Sequence, residues 1–556
     1  MTAATVEIAS TLSLHHSLVG GSAVEGRAGM RPALNPATGR AFAGVSLLDA
    51  EQASAAVAAA QAAFPAWSAL SFKERGRHLL AARDRILAGA DDLARLIARE
   101  QGKPAPEAHA VELFPALETL THLARHAEDV LRDDPLDAQV LLFAHKHCRV
   151  TFTPLGPVLV VTPWNYPFGI SLSGVAAALV AGNTVVLKPA PATTLIGLRL
   201  GELFHDAGLP SGVLNVVACD DGVAQALVED ARVAKIIFTG SVATGKKIMA
   251  SAAKNLTPVV LELGGKDPAI VCKDADLERA AAGIVWGAFL NAGQTCASVE
   301  RVYVEQPVAE EFVRRVLDET RALRQGDPEQ PEIDVGPMTM ERQRAIVEAH
   351  VEDALARGAQ ALTGGRRPEG PGFFYPPTVL TGVDHSMRVM REETFGPLLP
   401  IMVVPSVDEA LRLANDSEYG LTASVWTRDV DLAARLRREL QAGVVTVNDC
   451  VATYGEPTAP WGGVKQSGIG RTHGLHGLRE MVQVRYVAED WDRRRRLLWW
   501  FPYGAEFRGL MSAALQAMYA PSLLARLRAH TRLGTSGRFR KRVGLGNVLA
   551  NLDKLF

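Results

Sequence analysis

Three short segments of this 556-residue chain hold side chains suited to covalent chemistry. Asn291-Ala-Gly-Gln-Thr-Cys296 places a thiol after a glycine-containing turn. Leu261-Glu262-Leu-Gly-Gly-Lys266 sets a carboxylate at the end of a Val-rich strand, and Thr162-Pro-Trp-Asn165-Tyr-Pro sets a side-chain amide just past another. A thiolate attacks an aldehyde carbon, and the oxyanion that forms needs N–H donors, which the Asn165 amide and a backbone N–H can supply. The adduct can then lose hydride to an oxidised nicotinamide, after which a carboxylate activates water to hydrolyse the thioester. Taken singly, each segment also has a plainer reading: Cys296 as a small buried hydrophobe, Glu262 as a solvated strand end, Asn165 as a turn former.

The surrounding periodicity predicts the elements that must position these groups. Residues 1–30 are Gly-, Ser- and Ala-rich and read as extended or poorly ordered chain, whereas residues 50–135 carry apolar side chains at helical spacing. Short Val/Ile runs (VLVVTP, NTVVLKP, VLNVVA, KIIFTG, VVLELGG, PAIVCK) then alternate with helical patterns. That is the signature of a doubly wound α/β domain with a parallel sheet. A second α/β set follows, with helices predicted over 307–325, 340–358 and 430–441. No G-x-G-x-x-G follows any strand. Gly240-Ser241-Val-Ala-Thr-Gly245-Lys246-Lys247 nearly matches a P-loop, but Lys247 stands where a hydroxyl would hold Mg²⁺, which excludes ATP hydrolysis. A Gly/Ser turn feeding a helix still presents free N–H groups to a phosphate, although it reads equally as a plain strand-to-helix turn.

Composition is ordinary for a globular protein, 48% hydrophobic and 22% charged, which excludes disorder and collagen. Five widely spaced cysteines with no C-x-x-C argue against a disulfide scaffold and for a reducing, cytoplasmic compartment. The N-terminus lacks a signal-peptide pattern. The uncharged run Val158–Leu187 is interrupted by Pro163, Pro167, Gly169 and Gly182, so buried strands and a helix explain it better than a membrane span. His145-Lys-His147-Cys148 puts two histidines on one strand face with no further ligand, so no metal is expected.

Seven motifs occur in one order: TPWNYPF, KPAPAT, FTGSVATGK, LELGGKDP, NAGQTCAS, EETFGP and PWGGVKQSG. In order and spacing the chain resembles the aldehyde dehydrogenase superfamily from Asn35 to about residue 487. The resemblance implies an α/β fold with a Rossmann-like cofactor domain (1–136 and 156–270), a catalytic domain (271–477) and a small bridging sheet (137–155 and 478–490) that forms dimers or tetramers. It implies Cys296 as nucleophile, Glu262 as general base and Asn165 as oxyanion donor with the Cys296 N–H. It implies NAD or NADP held by Lys188, Trp164, Gly240, Ser241, Gly245, Glu393 and Phe395. Many NAD-preferring members carry a glutamate where this chain has Pro191, and a missing carboxylate removes repulsion against a 2′-phosphate. NAD is favoured here and NADP stays open. Another common family carboxylate is Thr472 here, so a proton relay through it is lost.

Ser173 stands where several relatives have a Trp, so a roomier aldehyde channel is expected, suited to a medium- or long-chain aliphatic or an aromatic aldehyde. A CoA-acylating relative and a catalytically silent membrane scaffold are the alternatives; Glu262 argues against the first and the intact Cys, Glu and Asn against the second.

Residues 491–556 extend past the family's usual end with 13 Lys/Arg against 3 Asp/Glu, a net charge of +10, which leaves −12 on the rest. Arg493–Arg496, Trp499, Trp500 and Phe501 precede a segment with Leu510, Met511, Ala514, Leu515 and Met518 at helical spacing on one face. An interfacial helix on anionic lipid at the inner face of a membrane, or packing of this extension on the acidic body with Arg528 and Arg540 as surface charge, are the two readings; nucleic acid is not expected without a recognition fold.

Overall fold

The computed structural model describes residues 12–137, 143, 146–491, 497, 499–501 and 503–537. His145, the run Arg493–Arg496 and Arg540 lie outside the described residues. The chain divides into two compact units, Met1–Val130 with Pro154–Val482, and Leu131–Thr153 with Gln483–Phe556.

In the first unit five parallel strands form the middle of an eight-stranded sheet, in the order Val259–Glu262, Lys235–Thr239, Pro157–Val161, Thr184–Lys188 and Leu214–Val216. They are Val/Ile-rich and almost wholly buried, as strands covered on both faces must be. Helices Ala50–Ser68, Gly169–Val180, Thr194–Asp206 and Val242–Ala252 alternate with or cover them. Ala50–Ser68 begins at a capping box in which the Asp49 side chain accepts from the Gln52 N–H and the Gln52 side chain returns the contact. The N-terminal segment is extended: Ser17–Val19 and Ser22–Val24 form a hairpin on the edge of this sheet. Side chains fix it there, with Ala218 N donating to Ser17 Oγ at 2.9 Å and Gly20 N to Asn215 Oδ1 at 2.8 Å.

A seven-stranded sheet follows in the same unit, parallel except for its edge strand Gln360–Thr363. Its helices Ala309–Ala322, Glu341–Ala356 and Val430–Glu439 are each a little shorter than the periodicity suggested. Apolar spacing continues past the last backbone hydrogen bond, so pattern overshoots the helix ends.

The second unit holds a three-stranded sheet of Asp134–Leu136, His147–Pro154 and Val482–Glu489. Its two C-terminal helices are Ala505–Tyr519 and Leu523–Thr535. The apolar face expected from residue 510 onward divides here. Leu510 and Ala514 are buried in a small core with Ala513, Ala517, Ala529 and Leu533, whereas Leu515 points outward, 56% exposed. Among the described residues no helix is long and apolar enough to cross a membrane, and no group of three or more His, Cys, Asp or Glu could hold a metal ion.

Candidate active site

The parallel strands of the first sheet deliver their carboxyl ends to one side, where α/β proteins bind ligands. Lys188 ends one strand, Thr162 and the Asn165 loop follow a second, Gly240 follows a third, and Glu262 ends a fourth. The thiol comes from the other sheet system, on the loop between helix Leu277–Phe289 and strand Val299–Glu305.

Three successive residues of that loop, Asn291, Ala292 and Gly293, are left-handed (φ 54°, 54° and 72°). At Gly293 a Cβ would lie 2.1 Å from Gly396 O, so only glycine fits. Buried polar contacts hold the turn. Gln101 Nε2 donates to Asn291 Oδ1 at 2.9 Å, Asn291 N donates to Glu107 Oε2 at 3.1 Å, and Thr339 N donates to Gln294 Oε1 at 2.9 Å. Asn165 is locked to the same turn. Its Nδ2 donates to Gln294 O at 2.9 Å, and its own carbonyl accepts from Asn291 Nδ2 at 2.9 Å and Lys103 Nζ at 3.0 Å. One amide N–H of Asn165 is thereby used, which leaves the second for a ligand two residues from Cys296.

Cys296 and Glu262 line one cavity. Glu262 is 5% exposed, and neither carboxylate oxygen has a hydrogen-bond partner. Burial therefore pushes its carboxyl well above the ordinary range, against a smaller opposing pull from Arg471. Gly462 leaves it room, since a Cβ there would sit 3.0 Å from Glu262 Oε1. Burial also pushes the Cys296 thiol up, and the carboxylates of Asp267, Glu262 and Glu393 add to the effect. Burial thus favours the uncharged form of both groups, and Glu262 must ionise before it can act as a base.

The cavity runs past Ser173, Gly174, Ile170 and Leu123. Its lining includes no Lys or Arg among the described residues. Trp461 and Tyr454 form its aromatic wall, edge to face at 5.1 Å. His473 also faces it, with left-handed backbone (φ 58°) and an Nε2 that is shielded from solvent and unpartnered. Burial lowers its imidazole to about 4, so it is neutral. Thr472 lines the same cavity, where a hydroxyl replaces any carboxylate relay.

Of the residues expected at a cofactor, Lys188, Trp164, Gly240 and Ser241 lie at or just past strand ends of the first sheet, and Glu393 and Phe395 follow the short helix Arg388–Arg391. Ser241 caps helix Val242–Ala252 by accepting from Thr244 N at 3.3 Å. Gly245 lets that helix approach the sheet, since a Cβ would meet Leu263 Cδ2 at 2.6 Å; its part is close packing. Trp164 and Phe395 meet edge to face at 5.3 Å. Phe395 is left-handed (φ 52°) and is held by Glu300, which accepts from Thr394 N and Phe395 N, each at 2.8 Å, and pairs with Lys266 at 2.6 Å. Glu393 accepts from Gly265 N at 3.0 Å and is pushed up to about 8, mainly by burial. A Cβ on Gly264 would stand 2.3 Å from the Glu393 carboxylate, so the glycine pair is what admits it. Lys188 is buried, and burial lowers its amine, with Cys219 and Asp221 nearby. A capped helix start behind a Gly-Ser turn, a buried amine and a sheltered carboxylate together fit a dinucleotide.

Sequence reasoning missed the supporting set Lys103, Glu107, Glu112, Glu300 and His473. Lys103 pairs with Glu112 at 2.5 Å with both side chains fully buried, and lies 3.7 Å from the Tyr166 ring centroid. Glu112 Oε2 in turn accepts from Phe168 N and Gly169 N, each at 2.9 Å. Only the one-turn π-helix His109–Leu113, which periodicity does not reveal, brings Glu112 inward.

A half-buried thiol, a buried carboxyl in the same cavity and a nucleotide-type strand edge are the parts of a thiol-dependent dehydrogenase. The model of the aldehyde dehydrogenase family matches residues 24–487. The chain is 41% identical over 456 residues to a 4,4'-diapolycopene aldehyde oxidase from Methylomonas, covering 80% of this chain and 84% of that one. It is 37% identical over 454 residues to succinate-semialdehyde dehydrogenase (NADP+) 1 of Mycobacterium tuberculosis, covering 82% and 98%. The crystal structure of Escherichia coli lactaldehyde dehydrogenase superposes with a TM-score of 0.83 at 35% identity, over 86% of this chain and all of that one. The chain belongs to the aldehyde dehydrogenase family. It is an NAD(P)-dependent aldehyde dehydrogenase.

Proposed function

We propose that the enzyme oxidises a bulky apolar aldehyde, a medium- or long-chain aliphatic or an aromatic one, to its carboxylic acid through a covalent adduct on Cys296. The observation that carries this reading is the cavity holding Cys296 and Glu262, lined mostly by apolar side chains and, among the described residues, by no Lys or Arg. A substrate with a second carboxylate or a sulfonate would meet no Lys or Arg in that lining, at a desolvation cost. Ser173 on helix Gly169–Val180 lines the cavity with a small side chain where a large one would fill space. The relative named for 4,4'-diapolycopene aldehyde is in line with an extended apolar substrate.

In this reading Cys296 Sγ, its thiol proton released to solvent, bonds to the aldehyde carbon. The second Asn165 N–H and the Cys296 backbone N–H hold the oxyanion. Bound NAD or NADP supplies the hydride acceptor. Lys188, Ser241 and Glu393 would hold the cofactor, with Trp164 and Phe395 beside its ring. Glu262, once ionised, then takes a proton from the water that attacks the thioester carbonyl; the C–S bond breaks, Glu262 returns that proton to the sulfur, and the acid leaves with the Cys296 thiol restored. The neutral His473 ring offers that water a second acceptor. Glu262 in the same cavity favours water over CoA as the acyl acceptor.

Val484 and Tyr486 are 59% and 61% exposed on the strand Val482–Glu489, which supports a homodimer or homotetramer built through this sheet. Five free cysteines fit a reducing, cytoplasmic setting.

The test is a rate panel of short-chain, long-chain, aromatic and dicarboxylic semialdehydes with each cofactor. The reading requires kcat/KM to rise with apolar chain length and to vanish in Cys296→Ala. A preference for succinate semialdehyde over a ten-carbon aldehyde contradicts it.

A further inference from the structure

The two C-terminal helices bury an alanine-rich seam against each other, and what they leave outside is unusual. Ala513, Ala514 and Ala517 of Ala505–Tyr519 meet Ala529 and Leu533 of Leu523–Thr535, with Phe507 and Met511 packed alongside. Small side chains let the helices approach closely. The turn between them is short, Ala520 to Ser522, and Arg526 Nε ties it by donating to Ala520 O at 2.6 Å.

With that seam satisfied, five large apolar side chains cluster around the turn on the outside. Leu515, Tyr519, Leu523, Leu524 and Leu527 are each at least 50% exposed. Leu515 and Tyr519 lie one helical turn apart, as do Leu523 and Leu527, so each pair shares a face. Leu524 is followed at the same spacing by Arg528 and Arg532, both exposed. From residue 505 to residue 552 the chain holds eight Lys/Arg against one acid, Glu506 in the first turn of the first helix. An apolar tip backed by arginines, with the hairpin's one acid in the helix turn farthest from the tip in sequence, matches the two layers of an anionic bilayer surface, acyl boundary and phosphate. Neither helix is long enough to span, so the hairpin would enter one leaflet only. A second copy docking through this same patch would set arginine against arginine.

We propose that the hairpin 505–535 docks the enzyme on anionic lipid bilayers, the apolar tip entering the headgroup–acyl boundary and Arg528 and Arg532 pairing with lipid phosphates. The proposal does not depend on the substrate reading, although it would place the enzyme where apolar aldehydes dissolve.

The test is flotation of the full chain with vesicles of phosphatidylcholine alone or mixed equally with phosphatidylglycerol, at low and high salt. The full chain is expected to float with the mixed vesicles and to be released by salt. Leu523→Asp with Leu524→Asp, and separately Arg528→Glu with Arg532→Glu, should each lower the bound fraction at least tenfold while leaving turnover of a water-soluble aldehyde unchanged. The milder pair Leu523→Ser with Leu524→Ser guards against misfolding of the hairpin and should act in the same direction. Absence of flotation, or flotation that ignores both pairs, overturns the proposal. So does light scattering that shows the same leucines holding two copies together without lipid.

Discussion

Replacing Glu262 by glutamine separates chemistry from stability in one variant. The carboxyl is buried and makes no hydrogen bond, so the isosteric amide breaks no contact. The proposed base is lost, however, and a positioned base contributes about 10²–10⁴-fold. Steady-state turnover should fall by that factor, while one equivalent of NAD(P)H per active site still forms in a rapid-mixing burst, since the base acts on the water of thioester hydrolysis. Stability should move the other way. Burial raises the folded carboxyl above its ordinary 4.5. The folded state thus keeps a proton that the unfolded chain loses. The wild-type enzyme pays nothing below pH 4.5 and loses about 1.4 kcal/mol for each pH unit from there up to the raised value. Glutamine removes that loss, so thermal scans at pH 8 should show the variant melting higher than wild type, with the gap closing as pH falls toward 4.5. Wild-type turnover should also rise with pH as Glu262 ionises, a limb absent from the variant. A variant that melts lower at pH 8 with turnover intact would refute the reasoning on both counts.

Ser173→Trp should cut kcat/KM for a long aldehyde at least tenfold and leave a two- or three-carbon aldehyde within about twofold, since a buried indole fills about 150–250 Å² of contact surface; equal losses for both would contradict the channel assignment. Pro191→Glu should shift the NADP/NAD ratio of kcat/KM toward NAD by about 10- to 100-fold, the effect of about 1–3 kcal/mol of repulsion against a 2′-phosphate; an unchanged ratio would place the 2′-position elsewhere. Lys103→Met should leave Glu112 buried without its cation, at a cost of about 3–5 kcal/mol; differential scanning should show a lower melting temperature, part of which Glu112→Gln in the same chain restores.

The residues that react were legible because motif chemistry is local. Cys296, Glu262 and Asn165 each follow a strand or turn that the sequence pattern marks, and the parallel sheet was readable from Val/Ile runs bounded by Gly and Pro. The residues that hold them were not. Glu107, Glu112 and Glu300 lie in patterns that read as solvated charge, and their burial depends on partners far along the chain, as Glu112 depends on the Phe168 and Gly169 N–H groups. The exposure expected of a strand-end glutamate also failed at Glu262, because strand Gly468–Ile469 pairs over it and Gly462 closes beside it. In the C-terminal extension, periodicity announced an apolar face but not that a second helix would cover Leu510 and Ala514 and leave Leu515 outside.

The most direct measurement is the mass of the enzyme caught mid-reaction. Glu262→Gln, mixed with a ten-carbon aldehyde and NAD or NADP and quenched in acid, should carry one acyl group, located by peptide sequencing on Cys296. An unmodified chain after a full burst of reduced cofactor, or an acyl group on Cys219, Cys272 or Cys450, would contradict the account.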